Sequence, residues 1–197
     1  MNKIVKPKKI NENIARITAM LIGDGSLPIK HNGEGKRNYL LYFCNTDYSI
    51  VNNFSDIIEN EFKITGRISN RKRTNRKRIY EYNKYSKEIC EYFNNEMQVP
   101  YGEKSNKVVV PEKIKTGNKK IKRAFLRGLI ETDGGAKRKK GLIFHCASRK
   151  LLEGVSKLIS EVYNINQKEV KEYKQNEFKS YQLTFTKHDT ENILKPE

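Results

Sequence analysis

The sequence has no tryptophan, five prolines, and only three each of cysteine, histidine and methionine in 197 residues. Cys44, Cys90 and Cys146 are odd in number and never stand as CxxC, and His31, His145 and His188 lie far apart, which argues against a zinc site or a disulfide framework. The three thiols read as small apolar groups rather than nucleophiles. Long apolar runs are also missing: none approaches the roughly 20 residues that span a bilayer. With no signal peptide, lipidation motif or basic amphipathic helix, the expectation is a soluble, intracellular chain without a membrane partner. Acid is scarce as well. Against 40 Lys and Arg stand 23 Asp and Glu, a net charge of +17. A folded chain with that excess calls for a polyanion, and nucleic acid is the leading partner.

What is present begins with "ITAMLIGDGSL" (residues 17–27), where an apolar run stops on Asp24 between Gly23 and Gly25. A helix C-terminus carries partial negative charge, so a carboxylate there is mildly repelled and needs another reason. The stretch has a twin, "FLRGLIETDGG" (residues 125–135), which places Asp24 on Asp133, 109 residues on. Gly25 then falls on Gly134, Leu21 on Ile130, Met20 on Leu129 and Ile17 on Leu126. Small residues recur every four positions, as Ala15, Ala19 and Gly23 in one copy and Ala124, Gly128 and Thr132 in the other. Residues four apart share a helix face, and a face without bulk lets two backbones meet. The two helices are expected to pack together, with their acids side by side.

The repeat extends further. "YFCNTDYSIVNNFSDII" (42–58) resembles "FHCASRKLLEGVSKLI" from residue 144, with Cys44 set on Cys146 at an offset of 102 and seven residues lost from the intervening loop. Helical spacing follows in each copy: Ile50, Val51, Phe54, Ile57 and Ile58, then Leu151, Leu152, Val155, Leu158 and Ile159. Paired extended segments are predicted at about 64–73 and 76–85, and again at about 167–174 and 180–187. Each half therefore reads helix, hairpin, helix, hairpin, with a further helix near 86–97 in the first. The fold class is α/β (α+β), with a first repeat at 10–98, a basic linker at 99–117 crossing the surface, and a second repeat at 118–197.

With both copies in view, "ITAMLIGDG" (17–25) and "LRGLIETDG" (126–134) resemble the motif of the LAGLIDADG homing endonucleases, in the single-chain, two-motif form. The resemblance implies two pseudo-symmetric αββαββ(α) repeats with paired central helices and saddle-shaped antiparallel sheets. It implies a monomer that cuts both strands of double-stranded DNA across the minor groove with Mg²⁺ or Mn²⁺. Asp24 and Asp133 would be the metal ligands, the last helix turns at Gly23 and Thr132 favouring the same cation. Oxygen donors of this kind suit such hard cations. One position departs from the family pattern: its first acid is Ile22 in the first copy and Glu131 in the second. By resemblance Lys104, in "YGEKSNK", would support the phosphate, with Lys137 or Lys187 serving the second half, and Asn45 would hold solvent near the metal. The alternative reading keeps the fold without cleavage, as an intron RNA splicing cofactor or a DNA-binding regulator.

Residues 63–78 hold eight Lys or Arg and no acid. In a strand alternate side chains share a face, so Arg67, Ser69, Arg71 and Arg73 are expected to project together toward DNA, with Arg76 and Arg78 on the returning strand. In the second half the corresponding set is Lys171, Tyr173, Gln182, Thr184 and Thr186, opposite an inward set that includes Leu183 and Phe185. Lys30, Asn32 and Arg37 of the first long hairpin, and Lys137, Arg138, Lys139 and Lys140 of "GAKRKKG", complete the expected DNA surface.

Overall fold

The computed structural model describes residues 4–31, 33, 35–72, 77–137, 141–175 and 178–195. Two central helices organise it. Asn11 caps α1 (Glu12–Gly23) by accepting from the Ile14 N–H at 2.9 Å, and Asn118 caps α5 (Lys119–Asp133) by accepting from that of Ile121 at 3.0 Å. Such side chains satisfy amide groups that the first helical turn leaves open. The two helices lie against one another along the small-residue stripe. A Cβ on Gly128 would collide with the backbone carbonyl of Arg16 and stand 3.1 Å from the Cβ of Ala19, and one on Gly23 would collide with Thr132. Ala19 and Gly128, like Gly23 and Thr132, are 109 residues apart, so each pair sits on the pseudo-two-fold axis relating the repeats.

The flanks of this axis are unlike. On one side Arg16 makes a two-pronged ion pair with Glu131, its Nε and Nη2 donating at 2.9 and 2.7 Å. The positions that symmetry sets on the other side are Phe125 and Ile22, both buried in the core. The acid missing from the first motif thus marks the apolar flank, and the acid kept in the second is a structural anchor for Arg16.

Each half adds an antiparallel sheet. In the first, β1 (Gly25–Ser26) and β2 (Ile29–His31) pair with β3 (Arg37–Asn45), which pairs with β5 (Ile79–Tyr85), and β5 with β4 (Arg67–Arg71). In the second, β6 (Gly134–Lys137), β7 (Gly141–Cys146), β9 (Phe178–Thr184) and β8 (Lys171–Gln175) lie in that order. Both hairpins are shorter than the sequence pattern predicts. α2 (Tyr48–Phe62) and α6 (Arg149–Tyr163) cover the inner faces, where Phe43 stacks on Phe54 at 4.5 Å between ring centroids. α3 (Lys87–Glu91) runs on as a π-helical turn at Tyr92–Glu96. A closing helix, α7 (Lys187–Leu194), begins at the predicted end of a strand, with Thr186 as its cap and Lys187 as its first residue.

The register corrects the repeat alignment. Gly25 pairs with Phe43 and Gly134 with Phe144, and the caps and bounds of α2 and α6 correspond in the same way, which gives an offset of 101 beyond the loop and not 102. Asn45 therefore stands where the second half has Cys146, and Cys44 where it has His145. A one-residue slip exchanges the faces of a strand, so matching the two cysteines by identity inverts the comparison. The segment between the halves is also less superficial than its composition predicts. Val99, Val108, Val110 and Ile114 are buried, the last in the short α4 (Glu112–Lys115), and Ser148 Oγ donates to Val108 O at 2.6 Å.

Replacing Gly128 with Ala sets a gain in helix propensity of about 1 kcal/mol against a backbone collision that only separation of α1 from α5 relieves. We expect a net loss of about 1–3 kcal/mol in denaturant unfolding. The Gly33→Ala control, where a Cβ meets nothing within 4 Å, should change stability by less than about 0.5 kcal/mol.

Candidate active site

The axis delivers two carboxylates to one place. Asp24 follows the last turn of α1, its N–H bonded to Met20 O at 3.1 Å, and Asp133 is the last residue of α5. The Asp133 carboxyl carbon is 3.5 Å from where a Cβ of Gly23 would stand, so the absence of a side chain there gives it room against α1. Burial, and secondarily the charge of Asp24, push Asp133 up to about 6, with Lys104 opposing. Burial also raises Asp24, offset by the Asn45 hydrogen bond and by Lys104.

Asn45 and Lys104 complete the cluster. The Asn45 side-chain carbonyl accepts from Asp47 N–H at 2.9 Å, which directs its amide to donate to Asp24 Oδ2 at 2.8 Å. Lys104 Nζ donates to the carbonyls of Leu21, Ile22 and Gly23 at 2.8, 2.7 and 2.5 Å. Burial pulls its ammonium down to about 8, against the opposing pull of Asp133 and Asp24. An ammonium thus occupies the end of α1 expected to favour a metal ion: the Gly23 carbonyl serves Lys104. Thr132 also departs from the expected ligand role, since its hydroxyl turns back to Gly128 O and Leu129 O at 3.2 and 3.3 Å. In the second half Cys146 takes the place of Asn45, its Sγ accepting from Ser148 N–H at 3.3 Å, and burial pushes this thiol up.

The donor set fits a hard divalent cation. Two desolvated carboxylates held together raise each other's need for positive charge, and oxygen is the donor such cations prefer. Asp24 and Asp133 would hold it. Among the described residues no group of three or more His, Cys, Asp or Glu gathers, so the remaining positions would fall to solvent or phosphate.

The outer sheet faces adjoin this cluster. In the first sheet Arg67, Ser69 and Arg71 share the face of Glu81, Asn83, Tyr42 and Cys44, and the Cys44 thiol approaches Asp24 O at 3.7 Å. In the second, a cavity of about 460 Å³ is lined by Asp133, Gly135, Ile143, His145, Tyr173, Gln182 and Thr184. Lys171 opposes Gln182 on the same face, while Leu183 and Phe185 are buried. His145 was missed because the cysteine alignment hid its parity. Lys30, opposite Asn38, shares the outer parity of Tyr42.

Three expected positions lie elsewhere. Arg37 alternates with Tyr39, Leu41 and Phe43 on the core parity and borders another cavity with Lys84 and Lys87. Thr186 caps α7, accepting from Asp189 N–H at 3.1 Å, so it leaves the strand. Lys187 is exposed in α7 and pairs with Glu191 at 3.8 Å, which removes it as the second-half counterpart of Lys104. Arg78 is exposed just before β5. Asn32, Arg73, Arg76, Arg138, Lys139 and Lys140, and the side chain of Lys137, lie outside the described residues.

Comparison with known proteins agrees with this architecture. The sequence profile of the LAGLIDADG-like domain matches residues 120–195. No curated protein matches the chain by sequence. A structure of mesophilic variants of the homing endonuclease I-DmoI is similar with a TM-score of 0.72 at 19% identity, over 93% of each chain. The crystal structure of I-DmoI in complex with DNA and Mn gives 0.71 at 19%, over 94% of this chain and 98% of that one. The N-terminal LAGLIDADG domain of DUF199/WhiA gives 0.60 at 15%, over 94% and 82%. The chain carries the LAGLIDADG fold. It does so in the single-chain, two-motif form, with both motifs supplied by one polypeptide.

An Asp with a raised folded-state pKa stabilises the fold only while protonated, so its contribution is full below about 4 and is lost as pH rises through about 6. Asp133→Asn should therefore raise stability by about 1–3 kcal/mol at pH 8 in chelator and leave it nearly unchanged at pH 4, as read by thermal unfolding.

Proposed function

We propose that the protein is a sequence-specific endonuclease that hydrolyses both strands of double-stranded DNA across the minor groove, with Mg²⁺ or Mn²⁺ held by Asp24 and Asp133. The observation that carries this reading is the convergence of two desolvated carboxylates, one from each repeat, where the outer faces of the two sheets meet the paired helices. When bound, a divalent cation activates water and neutralises the phosphate under attack. The protein's own groups do the rest: Asn45 orients Asp24, and Lys104 presents an ammonium next to both acids, where charge grows on the phosphate. Lys30, Arg67, Arg71 and Lys171 bind the duplex, while Ser69, Gln182 and Thr184 offer hydrogen bonds to base edges. One chain supplies both acids, so the active form is a monomer acting where its DNA target lies. The likeness to I-DmoI, solved in complex with DNA and Mn and with DNA and Ca, supports this reading.

The test is cutting of a randomised duplex library in Mg²⁺ by wild type, Asp24→Asn and Asp133→Asn. We expect double-strand cuts from wild type alone, with binding retained by both variants; equal cutting by all three would overturn the assignment of the acids. Duplex binding by an uncut wild type would favour the non-cleaving DNA-binding reading, and a preference for structured RNA over duplex the splicing one. Affinity should also fall with salt, with a logarithmic slope of about −0.9 for each neutralised phosphate in a filter-binding titration.

A further inference from the structure

On the outer face of the first sheet stands a carboxylate where a purely phosphate-binding surface would have none. Glu81, on β5, forms an ion pair with Arg71 on β4, its Oε1 2.7 Å from Arg71 Nε, and accepts from the Tyr42 hydroxyl on β3 at 2.8 Å. The three residues span three neighbouring strands, since Glu81 pairs with Ser69 on one side and Cys44 on the other. Glu81 is 17% exposed and Arg71 47%, so the acid is tucked in and the guanidinium reaches out. A half-exposed ion pair contributes little to stability, and an acid facing a polyanion is repelled. The arrangement needs a further reason.

We propose that Arg71 reads a guanine in the first half-site and that Glu81 holds it in position to do so. With Nε held against the carboxylate by the ion pair, the two terminal nitrogens of Arg71 have no hydrogen-bond partner among the described residues, and they form the planar fork that matches guanine O6 and N7. The ion pair restricts the rotational freedom that binding would otherwise have to restrict. Tyr42 in turn holds Glu81 from the opposite strand. Glu81 is directly paired with Cys44, whose thiol contacts Asp24 O, so the base read lies beside the cleavage centre. The register also confines the preference to one half. In the second sheet Gln182 occupies the place of Glu81, Ile143 that of Tyr42, and Tyr173 that of Arg71, and all three line the uncharged flank of the cavity beside Asp133.

The inference rests on the outer faces being the duplex-binding surface, and the test separates the two. Full-length wild type, Arg71→Lys, Glu81→Gln and the double variant select duplexes from a randomised library without added metal. Melting temperatures serve as the control for folding. Arg71→Lys should lower the guanine preference at a single position by about tenfold to a hundredfold, leaving the other half-site unchanged. Glu81→Gln should weaken the same position, and the double variant should be no worse than Arg71→Lys, because Glu81 acts through Arg71. Tyr42→Phe should give a smaller loss at that position. An unchanged position in folded Arg71→Lys overturns the assignment of Arg71, and a Glu81→Gln effect that adds fully to it overturns the positioning role. A wild type that selects no motif overturns the duplex reading itself, and this assignment with it.

Discussion

Everything in the molecule depends on how closely α1 approaches α5. Where Gly128 meets the Arg16 carbonyl no side chain separates the two backbones, and Gly23 makes room for the side chains of Thr132 and Asp133. Dispersion and burial favour such an approach only when no bulk intervenes. The same approach fixes the register of the helices, and register decides where their ends fall. Two acids that repel one another are thereby held together by apolar packing along the rest of the helices.

The cluster at those ends is a set of compensations. Desolvation raises both acids, and Asn45 and Lys104 partly restore them. Lys104 is itself desolvated, yet it satisfies three carbonyls that the last turn of α1 would leave open. The segment that carries it is held to the core by Val108 and Val110. The basic residue nearest the acids is therefore fixed by burial of its neighbours, more than by attraction alone.

Much of this was legible in the sequence, for identifiable reasons. The repeat of Asp24 in Asp133, and of the small stripe, is a local pattern with helical period, so the helix pair and its acids followed directly. Strand parity in Arg67, Ser69 and Arg71, and in Gln182 and Thr184, was equally open to reading because a period of two survives wherever one face is buried. What failed depended on contacts distant in sequence. Cys44 was matched to Cys146 by residue identity, whereas the offset is set by pairing of Phe43 with Gly25 and Phe144 with Gly134. Thr186 and Lys187 continue the alternation of the strand before them, but the capping box of Thr186 and Asp189 ends that strand and starts α7. The hydroxyl of Thr132 and the carbonyl of Gly23 have partners that no spacing reveals.

The unequal flanks of the helix pair carry a consequence for assembly. A pair of second repeats would set Glu131 of each against Phe125 of the other, leaving it only the i,i+4 contact with Arg127 of its own helix, and a pair of first repeats would set Arg16 against Ile22, taking away its carboxylate. Only unlike halves join charge to charge and apolar to apolar. The chain thus encodes, in four residues, a rule of heterologous pairing: its halves share one architecture yet recognise each other and not themselves. However alike the two halves are in outline, the seam between them is asymmetric at its centre.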